Sequence, residues 1–164
     1  MITTCTVETP LGHMTAAAEN QALTGLWFQG QKYFPNSTRG WVESPDEGIF
    51  IKLRDWLGAY FAGRAPITEV PLAPRGTPFQ QSIWNKLVKI KPGQMVTYGH
   101  LARELAVERG LPSMSAQAVG GAVGHNPISI LIPCHRVVGH KGSLTGYAGG
   151  LDRKRALLHL EKAL

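Results

Sequence analysis

Prolines crowd one stretch near the middle of the chain, Pro71-Leu72-Ala73-Pro74-Arg75-Gly76-Thr77-Pro78. Proline has no backbone N–H and pushes the residue before it out of the helical region, so neither a helix nor a central strand runs through such a segment. A chain of 164 residues interrupted there is read as two domains, 1–74 and 77–164. The charge changes at the same point. Residues 1–74 hold five Lys/Arg against seven Asp/Glu, whereas residues 75–164 hold twelve against four. Basic charge gathered in one half fits a polyanionic partner, most simply nucleic acid, or else a solvated basic face.

The first half alternates short β-prone runs with turns. Strands are expected at Ile2–Glu8, Met14–Ala18 and Leu23–Phe28, parted by Pro10-Leu11-Gly12 and Glu19-Asn20. Ser44-Pro45-Asp46-Glu47 has the form of a capping box with Pro at the first helical position. Ile49, Phe50, Leu53, Trp56, Leu57, Tyr60 and Phe61 follow at helical spacing, and Gly63 is the natural stop. That aromatic stripe is core, with no cofactor box in it. Thr77-Pro78-Phe79-Gln80 opens the second half in the same capping style, with Phe79, Ile83, Leu87 and Val88 inward and Lys91-Pro92-Gly93 as the end. No apolar run nears the roughly 18 residues of a membrane span. Met1–Cys5 lacks the basic and apolar pattern of a signal peptide, and the two cysteines, Cys5 and Cys134, form no disulfide framework. A cytoplasmic protein without metal or cofactor is expected.

Residues 133–139 read Pro-Cys-His-Arg-Val-Val-Gly, directly after the apolar run Ile128-Ser129-Ile130-Leu131-Ile132. That run is expected to be a buried strand, stopped by Pro133. A thiol is a weak nucleophile until ionised, and nearby cations lower its pKa from about 8.5. His135 would supply a base for Cys134, and Arg136 a positive field. A buried structural cysteine is the alternative. Upstream, a short helix over Val96–Leu105 and a second helix around Ser115–Val123 flank the loop Glu108-Arg109-Gly110-Leu111-Pro112, as in a helix-turn-helix. The second helix is small and nearly uncharged. It suits close approach to a sugar-phosphate backbone and carries no Lys or Arg reader of bases.

Several segments together resemble the O6-alkylguanine-DNA alkyltransferases. They are 79–102 (Phe-Gln…Ile-Trp…Pro-Gly…Thr-Tyr-Gly), 118–127 (Ala-Val-Gly-Gly-Ala…Asn-Pro), 133–138 and 146–150 (Gly-Tyr-Ala-Gly-Gly). The resemblance implies an α/β two-domain protein. Its N-terminal domain would be ribonuclease-H-like, and its C-terminal domain mostly helical, with a winged-helix-like helix-turn-helix. It implies repair of double-stranded DNA by a monomer, without cofactor or metal, in which O6-alkylguanine (and O4-alkylthymine) is flipped out and its alkyl group moved irreversibly to Cys134.

The roles implied for matching positions follow. His135 takes the thiol proton through a water, Glu161 orients that His from a terminal helix Leu151–Leu164, and Asn126 braces the turn beside Cys134. Tyr98 crowds the target phosphate, Val137 offers its carbonyl to the guanine amino group, and Tyr147 and Ala148 cover the base near O6. Gln117, Ala118, Gly121 and Arg136 would meet DNA. Gln117 stands where many members carry an intercalating Arg, so either Gln117 takes that place or Arg109 supplies a cation to phosphate. Two other classes compete: a lesion-binding module without transfer, which would lack the Cys of this motif, and a Cys-His hydrolase, which nothing else in the sequence favours.

Overall fold

A computed structural model describes residues 1–164. The chain divides into two units, Met1–Arg75 with Pro127–Ser129, and Gly76–Asn126 with Ile130–Leu164. The division is therefore not a single cut at the proline-rich segment.

In the first unit β1 (Thr3–Thr9), β2 (Gly12–Glu19) and β3 (Ala22–Phe28) form an antiparallel meander. Alternation puts Cys5 and Val7 of β1 and Met14 and Ala16 of β2 inward. Asn20 and Gln21 both take positive φ, 53° and 62°, the geometry of a two-residue hairpin whose twist matches its strands. A short β4 (Val42–Glu43), absent from the sequence reading, pairs parallel to β1 and completes the order β3-β2-β1-β4. The outer edge of β3 is covered by isolated bridges from Leu72 and Ile128. Leu23 N–H donates to Pro71 C=O and Ala73 N–H to Leu23 C=O, so the proline-rich stretch is pinned to the sheet.

Helix α1 (Gly48–Phe61) buries Ile49, Phe50, Leu53, Leu57 and Tyr60. It starts three residues later than the sequence suggests, and no side chain caps it. Ser44 N–H is taken by Thr4 C=O, extending the β1–β4 pairing, and the Glu47 carboxylate accepts from the Thr3 hydroxyl. Tertiary hydrogen bonds thus dismantle the expected capping box.

In the second unit α2 (Pro78–Leu87) carries a complete capping box between Thr77 and Gln80, with Pro78 at the first turn. Its inward residues are Ile83, Trp84 and Leu87, whereas Val88 is exposed. Trp84 Nε1–H donates to Ala122 C=O at 2.9 Å and ties α2 to α4 (Ala116–Gly124). Val96 and Thr97 lie outside the helix that the sequence reading assigns them to. They form β5, parallel to β6 (Val137–Val138), and the Thr97 hydroxyl then caps α3 (Tyr98–Glu108). Ser115 caps α4 in the same way. The last helix, α5 (Leu151–Leu160), ends with Glu161 as its cap residue.

The run 128–132 is not a strand. Only Ile128 makes a bridge, and Ile130 sits at φ 70°, inside a turn. Ile128, Ile130 and Ile132 are nonetheless all buried. No helix is long and apolar enough to cross a membrane.

Candidate active site

Cys134, His135 and Arg136 form a single 3-10 turn after Pro133. This turn, and not a strand end, fixes the sulfur. It is braced from behind by Asn126, which is buried. Asn126 Nδ2–H donates to Ile132 C=O at 2.7 Å, and the Asn126 side chain also hydrogen-bonds to Cys134. Cys134 is a free cysteine, 6% exposed. Burial pushes its thiol pKa up, opposed by the Asn126 hydrogen bond and by the charge of Lys154.

His135 is fully buried. Its Nε2 lies 2.6 Å from Glu161 Oε2. Burial holds the imidazole below its usual pKa against the pull of the Glu161 carboxylate, so the ring rests neutral. A neutral ring that faces a carboxylate with Nε2 must carry its proton there. Nδ1 is then a lone pair, buried and without a protein hydrogen-bond partner. The pair therefore presents an oriented base.

Glu161 serves a second group. Arg136 Nε donates to its Oε1 at 2.8 Å and Nη2 to its Oε2 at 2.9 Å, while Nη1 donates to the Ile90 carbonyl. The Arg136 side chain is 8% exposed. The expectation that Arg136 meets DNA is corrected on this ground: its guanidinium is consumed inside the protein.

Tyr98, the first residue of α3, donates its hydroxyl to Thr145 C=O at 3.3 Å. Burial raises its pKa. The Val137 carbonyl is already occupied, since Lys154 Nζ donates to it at 2.5 Å. A carbonyl has two lone pairs, so one remains. Tyr147 and Ala148 are half-buried in the loop before α5, with the Tyr147 hydroxyl buried.

On α4, Val119, Ala122 and Val123 face inward, and Gln117, Ala118 and Gly121 are exposed. A Cβ at Gly121 would meet nothing within 4 Å. Internal packing therefore does not explain a glycine that costs the helix about 1 kcal/mol relative to Ala. Arg109 lies elsewhere: Nη2 donates to Ser82 Oγ at 3.1 Å, and the guanidinium stacks 5.4 Å from the Phe79 ring centre. It is tied to α2, which argues against its use as a phosphate contact.

The sequence reading missed Lys154. Its three donors go to the carbonyls of Val137, Thr145 and Gly146. The signal was a lysine three and four residues before Leu157 and Leu158, on the apolar face of α5.

Residues 2–74 match the family described as "6-O-methylguanine DNA methyltransferase, ribonuclease-like domain", and residues 78–163 match "6-O-methylguanine DNA methyltransferase, DNA binding domain". A Mycobacterium tuberculosis protein named "Methylated-DNA--protein-cysteine methyltransferase" is 47% identical over 158 residues, covering 96% of this chain and 91% of its own. A Haemophilus influenzae protein of the same name is 41% identical over 154 residues, covering 93% and 82%. The crystal structure of Mycobacterium tuberculosis OGT in complex with DNA superposes with a TM-score of 0.84 at 43% identity, covering 99% of this chain and 92% of that one.

Proposed function

The chain belongs to the 6-O-methylguanine DNA methyltransferase family, and from that membership we propose which of its residues carry the transfer. The protein repairs alkylated DNA by moving the alkyl group to a cysteine of its own. Cys134 is that acceptor. The observation that carries this assignment is the buried 2.6 Å contact of His135 with Glu161, on the same turn as a free cysteine.

The proton on Cys134 Sγ passes to His135 Nδ1 through a water, and Glu161 stabilises the imidazolium that results. The thiolate attacks the alkyl carbon in line. An S–C bond forms, the C–O6 bond breaks, and its electron pair leaves on guanine. Guanine then takes a proton, so the net change exchanges the thiol hydrogen for the alkyl group. The thioether does not hydrolyse readily, so each molecule acts once. Neither metal nor cofactor enters this balance.

The alkyl carbon of a stacked guanine is out of reach, so the nucleotide is turned out of the duplex. The exposed face of α4 suits this step. Gln117, Ala118 and Gly121 present a low surface to the backbone, and Gln117 can hydrogen-bond to the orphaned base. Tyr98 stands at the start of α3 to crowd the target phosphate. Tyr147, Ala148 and the free lone pair of the Val137 carbonyl line the place of the turned-out base. O4-alkylthymine would present the same electrophilic carbon.

Incubation with duplex carrying methyl-labelled O6-methylguanine tests the assignment. Label is expected in the wild-type protein and none in Cys134→Ser, which still binds the duplex. Labelled Cys134→Ser, or methanol released over many turnovers, would overturn it.

A further inference from the structure

Duplex DNA is a dense polyanion, and a helix laid along it needs cations close by. Helix α4 carries none. From Tyr98 to Gly124 the chain holds two arginines, Arg103 and Arg109, and no lysine. Arg109 is spent on Ser82 and the Phe79 ring. His100 pairs with Glu104, and Lys86 of α2 binds Glu104 at 3.3 Å and Glu108 at 2.5 Å. Both carboxylates of α3 are thereby engaged by other groups. Arg103 alone among these cations is exposed and without a partner.

Its position is particular. Arg103 follows Gly99 by four residues on α3, and its side chain runs back toward the helix start. Nη1 lies 3.3 Å from the point where a Cβ on Gly99 would stand. The guanidinium therefore rests over the first turn of α3, beside the residue that follows Tyr98. A cation there meets the positive end of the helix dipole, so the resting place favours an anion alongside. The same side chain borders a groove of about 400 Å³ whose walls include Gly99, Ala106, Leu111, Met114 and Ala116, and it is the one charged group among them. Ala116 is the first residue of α4, and Gln117 and Ala118 follow it on the exposed face. The groove thus continues into the face read above as the DNA contact.

Resting on that reading of α4, we infer that Arg103 is a positioning residue for the transfer, a phosphate anchor on the strand that α4 and Tyr98 handle. Its guanidinium takes a phosphate oxygen near the nucleotide that turns out, and supplies the charge that Gln117 does not bring. It touches neither the base nor the sulfur. It therefore acts on binding and extrusion and leaves the chemistry at Cys134 unchanged.

The test compares wild type, Arg103→Gln, Arg103→Lys and Arg109→Gln. Each is measured with duplex containing O6-methylguanine over a range of salt, and with free O6-benzylguanine, which carries no phosphate. Arg103→Gln should bind the duplex roughly five- to tenfold more weakly at about 0.1 M salt, and the slope of log affinity against log salt should be shallower by about one. Its repair of subsaturating duplex should slow by a similar factor, while its reaction with free O6-benzylguanine should match wild type. Arg103→Lys should regain the salt slope, and Arg109→Gln should keep it. Wild-type affinity and slope in Arg103→Gln overturn the proposal. An equal loss of slope in Arg109→Gln also overturns it, because the effect would then be one of net charge. A slowed reaction of Arg103→Gln with free O6-benzylguanine does the same, because the residue would then act on the chemistry. Failure of the underlying reading of α4 shows separately, as duplex binding unchanged by both Gln117→Arg and Gly121→Ala.

Discussion

Glu161 does the work of two residues. One carboxylate, 3% exposed, orients the His135 base and neutralises the buried Arg136 guanidinium. Glu161→Gln keeps the shape and removes the charge. Transfer should slow by at least about tenfold, and stability should fall by roughly 3–5 kcal/mol because Arg136 is left uncompensated. Single-turnover assays and urea denaturation measure both; a wild-type rate in a folded Glu161→Gln would contradict the relay. Gln117 is the opposite case, exposed and uncharged. Gln117→Arg should tighten duplex binding and steepen its salt dependence by about one phosphate contact. Equal affinity and equal repair rate would mean that this position does not limit extrusion. The adjacency of Cys134 and His135 could be read directly from sequence. The sharing of Glu161 between His135 and Arg136 could not, because it depends on where the end of α5 lands. Arg136 was misread for the same reason: a cation in a basic half looks solvated until its partner is known.

Local signals survived where nothing tertiary competed with them. Thr77 caps α2 as its sequence pattern predicts, with both hydrogen bonds of the box formed. Ser44 has the same pattern but spends its N–H on β1, so its helix begins later. Thr77→Ala should therefore cost about 1 kcal/mol, and Ser44→Ala should show no loss of a helix cap, by chemical denaturation. The apolar run 128–132 was misread because a run without period does not separate a buried strand from a buried turn. The short β4, β5 and β6 were not foreseen, since two-residue strands are defined by their partners and not by their own sequence. On α4 the glycine has a separable cost. Gly121→Ala should raise stability by about 0.5–1 kcal/mol and weaken duplex binding, two changes of opposite sign. A stabilised variant with undiminished affinity would remove the close-approach reading of that helix.

Across the whole molecule, the proposed chemistry gathers in one unit. Every residue that we propose for the transfer lies in the second unit, Gly76–Asn126 with Ile130–Leu164. Global stability should carry the signature of its buried histidine. His135 has a folded pKa below its unfolded value, which is about 6.5. The folded state therefore binds fewer protons than the unfolded state as pH falls, so the stabilisation is present above about 6.5 and lost below it. Wild type should lose more stability than His135→Gln between neutral pH and mildly acidic pH, by denaturation at each. An identical loss would show that His135 is not the group responsible.

The central claim is that this fold delivers one alkyl group to one sulfur. Peptide mapping by mass spectrometry, after reaction with excess duplex containing O6-methylguanine, tests it most directly. The account predicts a single methyl on the peptide carrying Cys134, none on Cys5, and no more than one per protein. Tight binding of the duplex without any methylated peptide, or methyl on another residue, would contradict it.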